Sequence, residues 1–352
     1  MFGEDLTVSR VTLKTLAADL GLTEATVSRA LNDYDDIAEQ TRLRVQKEAL
    51  AQGYAPNPSA RRLARGTAEA VAYLMPANQS GVSDSFIGQL LQGLGESLSK
   101  RKWDLLVMQA PAAEDEAETI QKLARSGTVS GVVLSRPYKV DKRIKLLQEA
   151  RLPFVVHGRS SDCSDYAWYD VDNTKAFIDI VDHLVSLGHR RLGYVGAPSY
   201  LNFAHQRMQG VLQGIKYNGL SEADLLIEIS EMNDLGGEQA ASVMLDCDTP
   251  PTALICATDI QAIGALAALR SRGLRAGVDV SVIGYDGLFI GKHSNPPLTT
   301  MAQPLAHSGR ILGDMLLALI DGAEPKSLQE LRNAELVRRM SDGPARPSQN
   351  KP

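Results

Sequence analysis

Cysteine is scarce in this chain: Cys163, Cys247 and Cys256 are the only three in 352 residues. They are odd in number and lack metal-ligand spacing. Neither a disulfide framework nor a zinc site follows, and a reducing cytoplasm is the expected setting. Long apolar runs are missing too. No stretch approaches the roughly 18 apolar residues of a membrane span, and the opening MFGEDLTVSR has no apolar h-region of a secretory signal. No membrane partner is expected. Aromatic residues make up only 5%, yet 44% hydrophobic content is enough for full globular cores, and the length suits two to three domains.

Excess positive charge is also absent, since the net charge is −5. Up to Gly66, nine basic residues are offset by nine acidic ones. A nucleic-acid partner would therefore have to be held by placed side chains, not by a broad positive field. Only Arg61, Arg62 and Arg65 form a basic cluster free of acids. The signatures of catalysis are missing as well: there is no HExxH, no GxSxG and no GxxxxGKS/T. Gly93-Leu94-Gly95 begins a GxG, but Leu98 stands where a third glycine belongs and the run has a helical pattern. Asp170 and Asp172 would share one side of a strand, with nothing nearby suited to acid–base work, so turn or capping roles are expected. No enzymatic activity, metal or cofactor is implied.

What is present is concentrated in Val11 to Asn32. Leu13, Leu16, Ala17 and Leu20 recur at three- and four-residue spacing, the mark of one buried helical face. Thr12 is placed to cap that helix and Gly21 to end it. Thr23 caps a second helix whose apolar side is Val27, Ala30 and Leu31. Its other side carries Glu24, Ala25, Ser28, Arg29 and Asn32, mostly groups that can bond to base edges or phosphates. A helix–turn–helix fits, and so, on this segment alone, does a plain helical hairpin. A third helix is expected from about Glu39 to Gln52, with Leu43, Val45, Ala49 and Leu50 facing the first two. Pro56 and Pro58 then bar a helix, and a short one can begin at Ser59.

The stretch Val11 to Gly66 resembles the DNA-binding head and hinge of the lac-repressor family of bacterial transcription regulators. The resemblance rests on Val11-Thr12-Leu13, Ala17, Thr26 to Asn32, Thr41-Arg42, Gly53-Tyr54, Pro56-Asn57-Pro58 and Leu63-Ala64. It implies a homodimer on double-stranded operator DNA, with the second helix in the major groove. Thr12 and Thr23 belong to the DNA-facing set as helix caps. Glu24, Ala25 and Arg29 take base-reading positions, and Ser28, Asn32, Thr41, Tyr54 and Asn57 hold phosphates. Ala60 to Ala64 becomes a hinge helix that pushes Leu63 between base steps from the minor groove, unstacking them at a cost of a few kcal/mol. Glu24 can accept from a cytosine amine or simply complement the helix dipole; both readings stay open. Ala38 replaces a hydroxyl residue often found ahead of the third helix, so that cap is expected to be weak.

From Ala70 onward, short apolar runs alternate with helical patterns. The runs are AVAYLM (70–75), DLLVM (104–108), GVVL (131–134) and PFVV (153–156), then YDV (169–171), LGYVG (192–196), LLIEI (225–229), ALICA (253–257) and VSVIGYD (280–286). Such alternation predicts parallel sheets of β-α-β units. The expected fold is thus an all-α head plus an α/β core of two doubly wound parallel-sheet subdomains, similar to periplasmic sugar-binding proteins. The expected boundaries are a head over 1–57, a hinge over 58–67 and a core over 68–340. Within the core, one subdomain covers 68–170 and 302–332, and the other 171–301 and 333–340. Residues 341–352 read as a disordered tail.

The resemblance continues through the core at Val171-Asp172-Asn173, HLVSLGHRRLGYVG (183–196), Arg207 with Gly210, Ala257-Thr258-Asp259, Asp279 to Asp286 and Pro297 to Thr300 with Gln303. It implies an effector, a small sugar, bound between the subdomains. Arg207 and Asp286 match positions that grip hydroxyls or carboxylates, a pairing that clamps a polyol well. Thr258 stands where several members carry asparagine. His157 and Arg159 follow as further contacts, with a plain hydrogen-bonded loop histidine as the alternative for His157. Ser83, Asp84 and Phe86 are placed to cover the ligand, Asp172 and Asn173 to cap a helix, and Gln303 to sit on a crossover. A nucleobase or phosphorylated effector is the alternative within this architecture, and a solute-binding protein the alternative outside it.

Overall fold

The computed structural model describes residues 11–32, 34–54, 68–75, 85–109, 116–162 and 164–346. The chain divides after Thr67 into two units. Asn57, Ala60, Leu63, Ser83 and Asp84, and with them the hinge, lie outside the described residues.

The first unit holds α1 (Leu13–Leu20), α2 (Glu24–Leu31) and α3 (Glu39–Ala51). Thr12 caps α1 and shares a reciprocal capping box with Thr15, while Gly21 closes the helix at φ 63°. Thr23 caps α2 by accepting from the Thr26 N–H. Leu16, Ala17, Leu20, Val27, Ala30, Val45 and Ala49 form the small core. Two expected members are absent from it, because Leu43 is 59% and Leu50 85% exposed. At about 100° per residue, Val45 and Ala49 share one stripe of α3, whereas Leu43 and Leu50 share a different one on the far side.

Ala38 is the N-cap of α3 and makes no side-chain capping bond. An Ala38→Ser variant should therefore stabilise the head by about 1 kcal/mol. The check is slower amide exchange in the first turn of α3; exchange as fast as in the parent chain would show that another group already serves that end.

The second unit contains two six-stranded sheets. The first lobe orders its strands β2 (Asp104–Gln109), β1 (Ala70–Met75), β3 (Gly131–Ser135), β4 (Phe154–His157), β5 (Ala167–Val171) and β11 (Gln329–Arg332), all parallel. The second orders β7 (Leu225–Ile229), β6 (Leu192–Gly196), β8 (Ala253–Cys256), β9 (Ser281–Asp286), β10 (Thr299–Ala302) and β12 (Glu335–Val337), with only β12 antiparallel. Central strands are buried along their whole length, as expected for sheets covered on both faces. Strands β10, β11 and β12 have no counterpart among the apolar runs of the sequence: TTMA, QELR and ELV are short and partly polar or charged.

The covering helices are α4 (Ser85–Ser99), α5 (Glu116–Ser126), α6 (Lys142–Glu149) and α12 (Leu305–Ile320) in the first lobe. In the second they are α7 (Asn173–Ser186), α8 (Asn202–Tyr217), α9 (Asp234–Leu245), α10 (Asp259–Ser271) and the short α11 (Phe289–Lys292). Helices α4 and α12 cross so closely that a Cβ on Gly93 would lie 1.9 Å from the Ala306 carbonyl oxygen. Gly93 is thus a helix-packing residue, whereas Gly95 faces open space. The chain passes between lobes at 171–173, near 303 and at 332–335.

The expected tail begins too early. Ser341 and Asp342 are buried, at 0% and 8% exposure. Ser341 accepts from the Thr299 N–H at 2.8 Å and its carbonyl accepts from Val282 at 2.7 Å. His189 binds the Gly343 carbonyl at 3.0 Å, and Ala345 donates to Leu187 at 2.9 Å. Glycine and proline in GPARPS signal irregular backbone, and here that backbone is held by hydrogen bonds to the second lobe through Arg346. Residues 347–352 lie outside the described set.

Candidate functional site

The exposed face of α2 carries Thr23, Glu24, Ala25 and Arg29, with Ser28 and Asn32 half-buried beside them. Glu24, Ala25, Ser28, Arg29 and Asn32 fall within less than half a turn, opposite Val27 and Ala30, with Thr23 at the N-cap ahead of them. Glu24 lies in the first turn, where its charge suits the helix dipole. Arg29 is ion-paired with Asp36 and lies 5.3 Å from the Tyr34 ring. Reading a base would require it to exchange that partner. The Asn32 amide donates to the Ser28 carbonyl at 2.7 Å. Thr12 is exposed at the start of α1, Thr41 half-buried in the first turn of α3, and Tyr54 half-buried against the head core.

Between the lobes of the second unit lies a cleft of about 490 Å³, its open mouth included. Of the effector residues expected from sequence, Phe86, His157, Arg159, Arg207, Thr258, Asp286 and Gln303 all line it. Arg207, on α8, is 4% exposed. Its Nε donates to Asn173 Oδ1 at 2.8 Å, Nη1 donates to the Ala257 carbonyl, and the guanidinium lies 3.8 Å from the Tyr285 ring centre. Nη2 stands 4.0 Å from the Asp286 carboxylate, which also accepts from Gln303 Nε2 at 2.8 Å. Gln303 thus joins the two lobes at the floor of the cleft. Asp286 ends β9 with φ 125°, a strained conformation for a side-chain-bearing residue. Burial pushes its carboxyl up to about 7, against the pull of Arg207 and with help from Asp259.

His157 is the last residue of β4 rather than part of a loop, and it is 7% exposed. Its ring stacks on Tyr169 and meets Phe86 edge-on, while Nε2 is buried without a hydrogen-bond partner among the described residues. Burial, followed by Arg136 and Arg207, lowers it to about 4, so the imidazole is neutral at pH 7. A ligand hydroxyl would satisfy that nitrogen. Thr258 caps α10 by accepting from the Gln261 N–H, which commits much of its hydroxyl to the helix. Asp172 caps α7 as expected.

Several lining residues were missed. Asp170, expected in a turn or capping role, is instead buried in the cleft and accepts from Arg159 Nε at 2.8 Å. Burial raises its pKa against the pull of Arg159. Asn173, expected as a cap, lies one residue past the N-cap Asp172, and its Oδ1 orients Arg207. Arg136, Phe203, Gln206 and Met232 also line the cleft. The position of Asp170 at the carboxyl end of a strand was the available signal; Arg136 and Met232 lie on loops and offered none.

A helix–turn–helix unit followed by a two-lobed receptor with a polar cleft defines a ligand-responsive DNA-binding regulator. The chain belongs to the lac-repressor family of bacterial helix–turn–helix transcriptional regulators. It is 38% identical to the HTH-type transcriptional regulator AglR of Rhizobium meliloti (strain 1021), over 95% of each chain. It is 29% identical to the HTH-type transcriptional repressor CytR of Escherichia coli (strain K12), over 94% of this chain and 96% of that one. Residues 181–341 match the family described as periplasmic binding protein-like domain. Among solved structures, a transcriptional regulator CelR–cellobiose complex is 28% identical with a TM-score of 0.72, covering 94% of this chain and 100% of that one. A lac repressor dimer bound to operator shares the fold, with a TM-score of 0.83 at 24% identity, 95% of this chain and 100% of that one. The protein is a DNA-binding transcriptional regulator, and its relatives are regulators rather than enzymes. No helix among the described residues is long and apolar enough to cross a membrane.

Proposed function

We propose that the chain is a cytoplasmic, homodimeric repressor of carbohydrate uptake or catabolism genes, controlled by a small sugar in the cleft. The observation that carries the effector class is the Arg207–Asp286–Gln303 cluster. It offers a planar cation, a carboxylate and an amide to one ligand, with the rings of Phe86 and Phe203 alongside. A dimer follows because such heads read the half-sites of near-palindromes. The test is a thermal-shift screen of mono- and disaccharides on the full-length protein; no shift with any of them, alongside a shift with phosphorylated metabolites, would replace the sugar. That second reading has support in Arg136, which gives the cleft three guanidiniums against two carboxylates. Any truncated core should run to 346, since residues 341–346 are held in the second lobe.

A sugar hydroxyl donates to ionised Asp286 and so favours its deprotonated form. With Asp286 near 7 in the free protein, binding should release a proton and tighten as pH rises from about 6 to 8. Titration calorimetry in buffers of different ionisation enthalpy reads this directly. A proton uptake, or an affinity flat across that range, would remove Asp286 from the contact set.

On the DNA side, the wedge role of Leu63 is part of the same reading. Leu63→Ser should weaken operator binding by about tenfold while leaving non-specific binding within about twofold. Equal losses on operator and random duplex would exclude the wedge. The effector and the operator then compete or cooperate through lobe orientation, with a coupling of about 1–3 kcal/mol.

A further inference from the structure

The lobes touch on the side of the cleft away from their crossovers. The crossovers leave the sheets at β5 and β11 in one lobe and at β10 and β12 in the other, toward one edge of each. The second meeting point involves the loops after β3 and β4 and the loop after β6. Tyr138 and Leu201 form an isolated antiparallel bridge. The Lys139 N–H donates to the Tyr200 carbonyl at 3.0 Å, and the Asn202 N–H donates to the Pro137 carbonyl at 3.0 Å. The Asn202 side chain adds two more bonds. Its amide nitrogen donates to the Arg159 carbonyl at 2.7 Å, and its oxygen accepts from the Ser161 hydroxyl at 2.5 Å. Tyr138, from the first lobe, packs edge-on to Tyr200 and against the core of the second lobe.

Asn202 is 2% exposed and is the first residue of α8, the helix that carries Arg207. A buried amide that satisfies both its ends on the opposite lobe has a defined position only while the lobes are closed on each other. Rotation about the crossovers must break all four hydrogen bonds. We propose that Asn202 is a positioning residue: it clasps the lobes across the mouth of the cleft, fixes the start of α8, and so weights the closed pose against the open one through which a ligand enters and leaves. The clasp rests on reading the cleft as the effector site for its functional meaning, but its existence can be tested with no ligand.

The experiment is hydrogen-exchange mass spectrometry of the full-length protein. In Asn202→Ala, exchange in the segment 136–141 should rise by about fivefold or more, although this segment lies in the other lobe. Segment 198–203 should rise with it, while β8 and α10 keep their parent rates. Ser161→Ala, which removes one bond at an exposed position, should produce a smaller rise in the same two segments. Unchanged exchange at 136–141 in Asn202→Ala would overturn the clasp. So would a uniform rise across the second lobe, which would make Asn202 a local folding residue only. Either failure leaves the effector reading standing, since that reading is decided by the ligand-induced thermal shifts.

Discussion

An Arg207→Ala variant will lose its response to effector altogether, and its second unit will also become less stable. The guanidinium stands 4.0 Å from the buried Asp286 carboxylate, and it also ties Asn173 to the Ala257 carbonyl. Breaking a buried pair by removing one partner costs about 3–5 kcal/mol. The loss will sit at or below the lower end at neutral pH, because Asp286 can take up a proton. The sign follows from linkage: an acid whose folded pKa lies above its unfolded value holds extra protons in the folded state, so its contribution falls as pH rises toward and through the folded value. The variant should therefore melt only a few degrees below the parent near pH 6 and further below at pH 8. Adding Asp286→Asn should recover stability at pH 8 without recovering the effector response. A retained ligand-induced shift in Arg207→Ala would remove this residue from the site. Loss of operator binding without ligand, in the presence of an intact fold, would show that Arg207 serves the DNA-bound pose instead.

Two alanine substitutions in α4, two residues apart, should have opposite signs. A Cβ on Gly93 would lie 1.9 Å from the Ala306 carbonyl oxygen and 2.9 Å from the Arg310 nitrogen, both backbone atoms of α12 that cannot swing aside. The helices must move apart, opening the contacts of Leu90 and Leu94 with the first-lobe core. The expected cost of Gly93→Ala is about 3 kcal/mol or more, at or above the usual upper limit for overpacking. Around Gly95 there is open space, so Gly95→Ala should stabilise by about 0.5–1 kcal/mol through helix propensity and a less flexible unfolded chain. Differential scanning calorimetry of the two variants decides the matter. A Gly93→Ala protein as stable as the parent would mean that the α4–α12 crossing is looser than the structure shows.

That pair of glycines also shows where sequence reasoning stops. Both sit in one helical pattern with identical local propensity, and only the partner helix, more than 200 residues away, separates a forbidden methyl from a welcome one. The same holds for α3: four apolar residues suggest one face, but the helical angle puts Leu43 and Leu50 on a separate, exposed stripe. Asp170 repeats the lesson at the site. Its neighbours suggest a capping or turn residue, yet Arg159 and the strand end bring it into the cleft.

While the ligand contacts are implied by the family resemblance, local patterns by themselves determined the helix–turn–helix with its threonine caps and the two runs of alternating strands and helices. Those features depend on spacings of a few residues, which the chain carries in its own order. Tertiary structure alone decided that the segment after Met340 is part of the second lobe, that Gln303 and Asp286 meet, and that Asn202 reaches across to the opposite lobe. Each of these depends on a hydrogen bond or a close approach between segments distant in the chain. No periodicity encodes such a meeting; it exists only once the sheets have stacked their neighbours in space.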